Sequence, residues 1–107
     1  MSADNGIYIA KFPRMNGTPG FEYRVIHAQA IENCDYGTPE QQDAYRWSYF
    51  GKETAYFDKD EAALEANKMA DEEEAEGYFL EYGVCHLDFD RPLVRMTEEE
   101  IKRILDF

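Results

Sequence analysis

The chain has 107 residues, 44% of them hydrophobic and 15% aromatic, enough for one core and too few for two comfortable domains. Eleven Lys and Arg stand against 23 Asp and Glu, a formal net charge of −12. That balance disfavours direct nucleic-acid binding and docking on an anionic membrane, because both need clustered cations; attraction to basic partners, or plain solubility, is what it leaves.

The elements follow in chain order. GIYIAKF (6–12) reads as a strand, and PRMNGTPG after it carries Asn16-Gly17 and Pro19-Gly20, a dense turn signal. FEYRVIHAQAIEN (21–33) is expected as a long second strand forming an antiparallel hairpin with the first. Thr38, Pro39 and Gln41 spell a capping box with a proline start, so a helix is predicted from Pro39 to about Phe50, with Gly51 as a left-handed stop. TAYF (54–57) is a short strand candidate. Asp58 then caps a second helix, with Glu61 at its box position and an alanine-rich face of Ala62, Ala66, Met69 and Ala70, ended by Gly77. YFLEYGVCHLDFD (78–90) reads as a strand bent at Gly83. Thr97 and Glu100 box the last helix, with Met96 and Ile101 spaced as a hydrophobic staple and Ile101, Ile104 and Leu105 facing inward. The expected fold is α+β, a single domain over residues 1–107. Its order is β-β-α-β-α-β-α, an antiparallel or mixed sheet of about four strands with two to three helices mostly on one face.

Charge is concentrated on the second helix. Residues 58–76 hold nine acids against two lysines, a net of −7. Asp71, Glu72, Glu73, Glu74 and Glu76 cluster at its C-terminal end, where the helix dipole disfavours anions by about 0.3–1 kcal/mol each. The last helix obeys the dipole rule, with glutamates first and Lys102 and Arg103 near its end. The run is either solvated surface or an anionic face that engages a basic protein, standing in for phosphates.

The second strand carries a polar pair. Alternation places Tyr23, Val25, His27, Gln29 and Ile31 on one face and Arg24, Ile26, Ala28 and Ala30 on the other. Ile26, Ala28 and Ala30 are expected to receive the alanine-rich helix. His27 and Gln29 then look away from it, either as an open sheet face or as a ligand site with tyrosines and with Arg24 or Arg46.

Signals for catalysis are sparse. His27 could serve as a general base oriented by Glu32, Asp35 or Asp4, yet no serine or cysteine sits in a nucleophile context and no glycine loop cradles phosphate. Asp88 and Asp90 share a strand face but are only two carboxylates. Cys34 and Cys85 form no CxxC pair. With His27 and His86 they lack the paired spacing of a zinc site, so free thiols are expected and neither metal nor cofactor is assigned. No apolar run approaches the roughly 18 residues of a membrane span. MSADNGIYIAKFPRM lacks the features of a signal peptide, which leads to an expectation of the cytoplasm.

SADNGIYI and HAQAIEN, with YFG (49–51), FDKDEAALEA and LEYGVC (80–85), resemble a family of small phage and prophage accessory proteins with no assigned reaction. The resemblance implies a nonessential role such as counter-defence in a host cell. The residues within its first two motifs that could touch a ligand are Ser2, Asp4, Asn5, His27, Gln29, Glu32 and Asn33; Arg24 and Arg46 join them as candidate cations. The leading expectation is a non-enzymatic protein that binds and inhibits a host defence factor through its acidic face. The alternatives are a sponge for a nucleotide-type signal, a minor hydrolase, and a structural or assembly role with self-association through YRWSYF.

Overall fold

The computed structural model describes residues 5–28, 31–77, 79–80 and 83–106, leaving aside the side chains of Asn16, Glu32 and Asn33. It is α+β, with strands β1 (Gly6–Pro13), β2 (Phe21–Ala28) and β3 (Val84–Asp88) and helices α1 (Pro39–Phe50), α2 (Lys59–Ala75) and α3 (Glu98–Leu105). The sheet order is β2-β1-β3. β1 and β2 pair antiparallel along their full length, from Gly6 opposite Ala28 to Pro13 opposite Phe21. β1 and β3 pair in parallel, from Ile7 opposite Val84 to Lys11 opposite Asp88.

β1 is central because its sequence is apolar on both faces. Ile7 and Ile9 point one way, Tyr8, Ala10 and Phe12 the other, and all five are buried. Such a strand needs a layer on each side. α2 covers the first face, where Ala62 and Ala66 pack on Ile7, Ile9 and Val25. α1 covers the second, where Phe50 and its neighbouring aromatics pack on Tyr8, Ala10, Phe12 and Ile26. α3 lies against α1, with Met96 and Ile101 lining a shared hollow beside Trp47.

This corrects the expectation that helices gather on one face and that α2 sits on Ile26, Ala28 and Ala30. Close packing fits volume to volume rather than small to small. The bulky aromatics of α1 fill the space over Ala10, Ala28 and Cys34, and the slim alanine face of α2 sits on β-branched Val25, Ile7 and Ile9.

The helix boundaries follow their caps. Thr38 accepts the Gln41 N–H and Gln41 accepts the Thr38 N–H, and Thr97 with Glu100 does the same. Asp58 caps α2 through the Asp60 N–H at 2.8 Å. Gly51 is not a left-handed stop; it is right-handed at φ −65°. Glycine is needed there for another reason, because a Cβ would run into the Trp47 ring. TAYF is not a strand. Only Tyr56 pairs, in an isolated bridge to Tyr23 with bonds of 2.7 and 2.8 Å, since the α2 cap at Asp58 follows at once. Within the described residues β2 ends at Ala28, and Glu32–Asp35 form a 3-10 turn. Before β3, Gly83 adopts φ +60°, a value that suits glycine, and its N–H closes a turn on the Leu80 carbonyl. Tyr78, Glu81 and Tyr82 of the expected third strand lie outside the described residues.

Neither Cys34 nor Cys85 forms a disulfide. Cys34 is 1% exposed within the α1-side core, and burial pushes its thiol up from 9.0 to about 12; the nearby Arg46 guanidinium opposes the shift and Asp35 adds to it. Cys34 should therefore resist iodoacetamide at pH 8 in the native protein and react only after unfolding, as read by mass spectrometry. The unfolded thiol ionises near pH 9 while the folded one holds its proton to about 12. The unfolded state then binds fewer protons across that window, and stability falls as pH rises through it. Modification of native Cys34 at pH 8 would contradict this.

Candidate functional site: the acidic helix and the sheet beneath it

Because α2 lies on the Val25 face, His27 looks toward the helix rather than away from it. Its Nδ1 is 3.7 Å from Glu73 Oε1, both side chains partly exposed. The strand motif and the acidic run, two separate features in sequence, are thus one place in the fold. Gly6–Ala28 pairing and the turn of α2 bring them together. Among the described residues Glu73 is the sole member of the run with an ion-pair partner, and that pair carries charge on both sides only when the imidazole is protonated.

The other acids of the run face water. Asp71, Glu72, Glu74 and Glu76 are exposed, and Glu76 forms the helix end, its N–H donating to the carbonyls of Glu72 and Glu73. No basic residue stands in the last turn. Leu64, 72% exposed, lies on the solvent side of the same helix, and Phe79, 74% exposed, follows its end. The surface therefore combines carboxylates that have no ion-pair partner among the described residues with two exposed apolar side chains.

The two candidate arginines are engaged elsewhere. Arg24 is buried against Glu22, itself 2% exposed, with Nε and Nη2 donating to Glu22 Oε2 at 3.0 and 2.8 Å. Its Nη1 donates to the carbonyls of Phe50, Gly51 and Glu53 at 3.2, 3.1 and 3.0 Å. A strand arginine thus caps the C-terminal end of α1, where the dipole favours a cation. Arg46 donates through Nε to the Cys34 carbonyl, through Nη1 to Asp90 and through Nη2 to Asp35, and lies 4.5 Å over the Phe89 ring. The Arg46 hydrogen bond holds the Asp90 carboxyl below its ordinary value. Both guanidiniums stitch α1 to the sheet side of the core and turn no donor toward His27. Sequence reading missed Glu22. The available signal was an acid and an arginine two apart on one strand face, amid apolar neighbours.

Asn5 is described immediately before β1; Ser2, Asp4 and Gln29 lie outside the described residues, as do the side chains of Glu32 and Asn33. Asp88 and Asp90 do not converge, since Asp90 binds Arg46 while Asp88 lines a different hollow. That hollow, about 220 Å³, lies between β3 and the first turns of α2 and is lined by Ile9, Lys59, Asp60, Ala63, His86 and Asp88 among others.

Comparison with family models, curated proteins and solved structures finds no match. The site must therefore be read from its own chemistry. Among the described residues no three His, Cys, Asp or Glu side chains are placed to hold a metal ion, and no buried side-chain polar atom lacks a partner. No helix among them is long and apolar enough to cross a membrane. The arrangement can present charge and apolar contact to another surface.

Proposed function

We propose that the protein is a small acidic binding protein of the phage-accessory type, which inhibits a host defence factor in the host cytoplasm by occupying that factor's basic surface. The observation that carries the reading is the exposed run Asp71, Glu72, Glu74 and Glu76, which has no cationic partner among the described residues and sits where the helix dipole opposes it. A run that costs stability and repels itself is better explained by a partner that neutralises it than by solubility alone, which acids placed elsewhere would supply equally well. A nucleotide sponge draws less support, since Arg24 and Arg46 already give their donors to carbonyls and carboxylates.

The test reverses Glu72, Glu74 and Glu76 to Lys and leaves Glu73 in place, because Glu73 faces His27. Each reversal turns an unfavourable dipole contact into a favourable one, so the thermal midpoint should rise by a few degrees. Capture of a basic host protein from lysate, identified by native mass spectrometry, should fall by about tenfold or more. Higher stability with undiminished capture would reduce the run to solvated surface.

A further inference from the structure

β2 carries a second polar feature at the opposite end from His27. Glu22 is 2% exposed, and its Oε2 receives both Nε and Nη2 of Arg24. Its Oε1 has no hydrogen-bond partner among the described residues. No enclosed side-chain polar atom among them is left without a partner, so Oε1 is not enclosed. It opens on a hollow of about 270 Å³ that Glu22 and Arg24 line. A buried carboxylate that turns one bare oxygen to a hollow calls for a donor there.

Arg14 lines the same hollow. Its Nε donates to the Phe21 carbonyl at 3.3 Å, and its guanidinium lies 4.5 Å over the Phe57 ring. Gly20 is close beside it, where a Cβ would stand 3.4 Å from the same nitrogen. The head group is thus held in place while both Nη groups have no acceptor among the described residues. Arg14 and Glu22 share one hollow and yet form no ion pair with each other, so each keeps an unused polar face. The other walls are Met15, Thr18, Ala55 and Phe57, the last 58% exposed.

We propose that this hollow binds a flat ring bearing a carboxamide-type edge, whose carbonyl accepts from Arg14 Nη and whose N–H donates to Glu22 Oε1, with the ring laid against Met15 and Phe57. The pattern of donors and acceptors selects the class. A carboxylate would satisfy Arg14 but set its charge against Glu22. A cation would satisfy Glu22 but meet Arg14 and Arg24. A neutral amide offers one acceptor and one donor side by side. Met15 and Phe57 supply the polarizable, aromatic contact that a flat ring prefers. The volume falls just under the roughly 300–1,000 Å³ of drug-sized ligand sites, which suits a single ring. The inference stands apart from the acidic-face reading, since neither site uses a residue of the other.

The probes are 4-fluorobenzamide, 4-fluorobenzoate and 4-fluorobenzamidine, alike in shape but neutral, anionic and cationic, followed by fluorine NMR with the full chain at pH 7. The amide should bind about tenfold or more tightly than either ion. Arg14→Met keeps a side chain over Phe57 and removes the donors, so amide binding should weaken by about tenfold or more with the circular dichroism unchanged. Glu22→Gln should invert the preference. Arg24 still requires an acceptor, so the new carbonyl takes the place of Oε2 and the new NH₂ puts a donor where Oε1 was. The benzoate should then bind more tightly than the benzamide. Should that variant unfold, Ala55→Phe fills the hollow and should abolish amide binding in the folded chain. No amide binding, equal binding of the three probes, or amide binding that survives both Arg14→Met and Ala55→Phe would each overturn the site. So would a folded Glu22→Gln protein that still prefers the amide.

Discussion

Replacing Arg24 by Ala should cost about 3–5 kcal/mol of stability, measured by urea denaturation, because the change strands a buried carboxylate. Glu22 is 2% exposed and its Oε2 takes both Nε and Nη2 of Arg24, its one ion-pair partner among the described residues. The same deletion leaves the carbonyls of Phe50, Gly51 and Glu53 without their shared donor at the end of α1. The two losses can be separated. Arg24→Met combined with Glu22→Leu removes the stranded charge and should recover most of the deficit, as apolar replacements of buried pairs do, while the uncapped carbonyls keep it below wild type. Arg24→Lys should fall between, since a single ammonium cannot serve Glu22 and three carbonyls at once. A loss under about 1 kcal/mol for Arg24→Ala would show that the pair is cosmetic.

Phe12→Ala should cost a similar amount, about 3–5 kcal/mol. Phe12 is fully buried, stacks on Phe89 with ring centroids 4.7 Å apart and meets Phe50 edge-on at 5.6 Å. It joins the central strand, the last residue of α1 and the segment leaving β3, so the cavity opens where three parts of the chain meet and none can collapse alone. Phe12→Leu keeps most of the volume and should cost no more than about 2 kcal/mol, with near-ultraviolet circular dichroism reporting the loosened ring cluster. Domains of this size hold about 5–15 kcal/mol in total, so either Ala variant should be marginal at 37 °C. An unchanged denaturation midpoint for Phe12→Ala would refute this account of the core.

How much of this was legible in the chain depends on the distance over which each feature is decided. Caps are settled within four residues, which is why Thr38, Asp58 and Thr97 mark their helices correctly and α1 spans Pro39–Phe50 as expected. The β1–β2 hairpin was equally readable, since turn chemistry and alternation are local. What was not readable is partner choice. Which helix takes which face depends on volumes from segments dozens of residues apart, and the small-on-small guess sent α2 to the wrong side of β2. That one error separated His27 from Glu73. Arg24 looked available for a ligand because the α1 carbonyls that claim it lie 26 to 29 residues further on. The acidic run, by contrast, was visible as a breach of the dipole rule, and the structure adds that its exposed members have no described cation.

The position of β1 between β2 and β3 has a consequence for how the chain is made. Its first neighbour follows within a few residues, but its second arrives only at Val84, after both larger helices. A nascent chain cannot close the sheet until nearly all of it has left the ribosome, and until then the most apolar strand of the protein offers one bare edge. Parallel pairing across such a separation is slow to form and exposed to aggregation meanwhile. The strong negative charge of α2, which is synthesised just before β3, gives half-finished copies like charge, which opposes their association at contact distances.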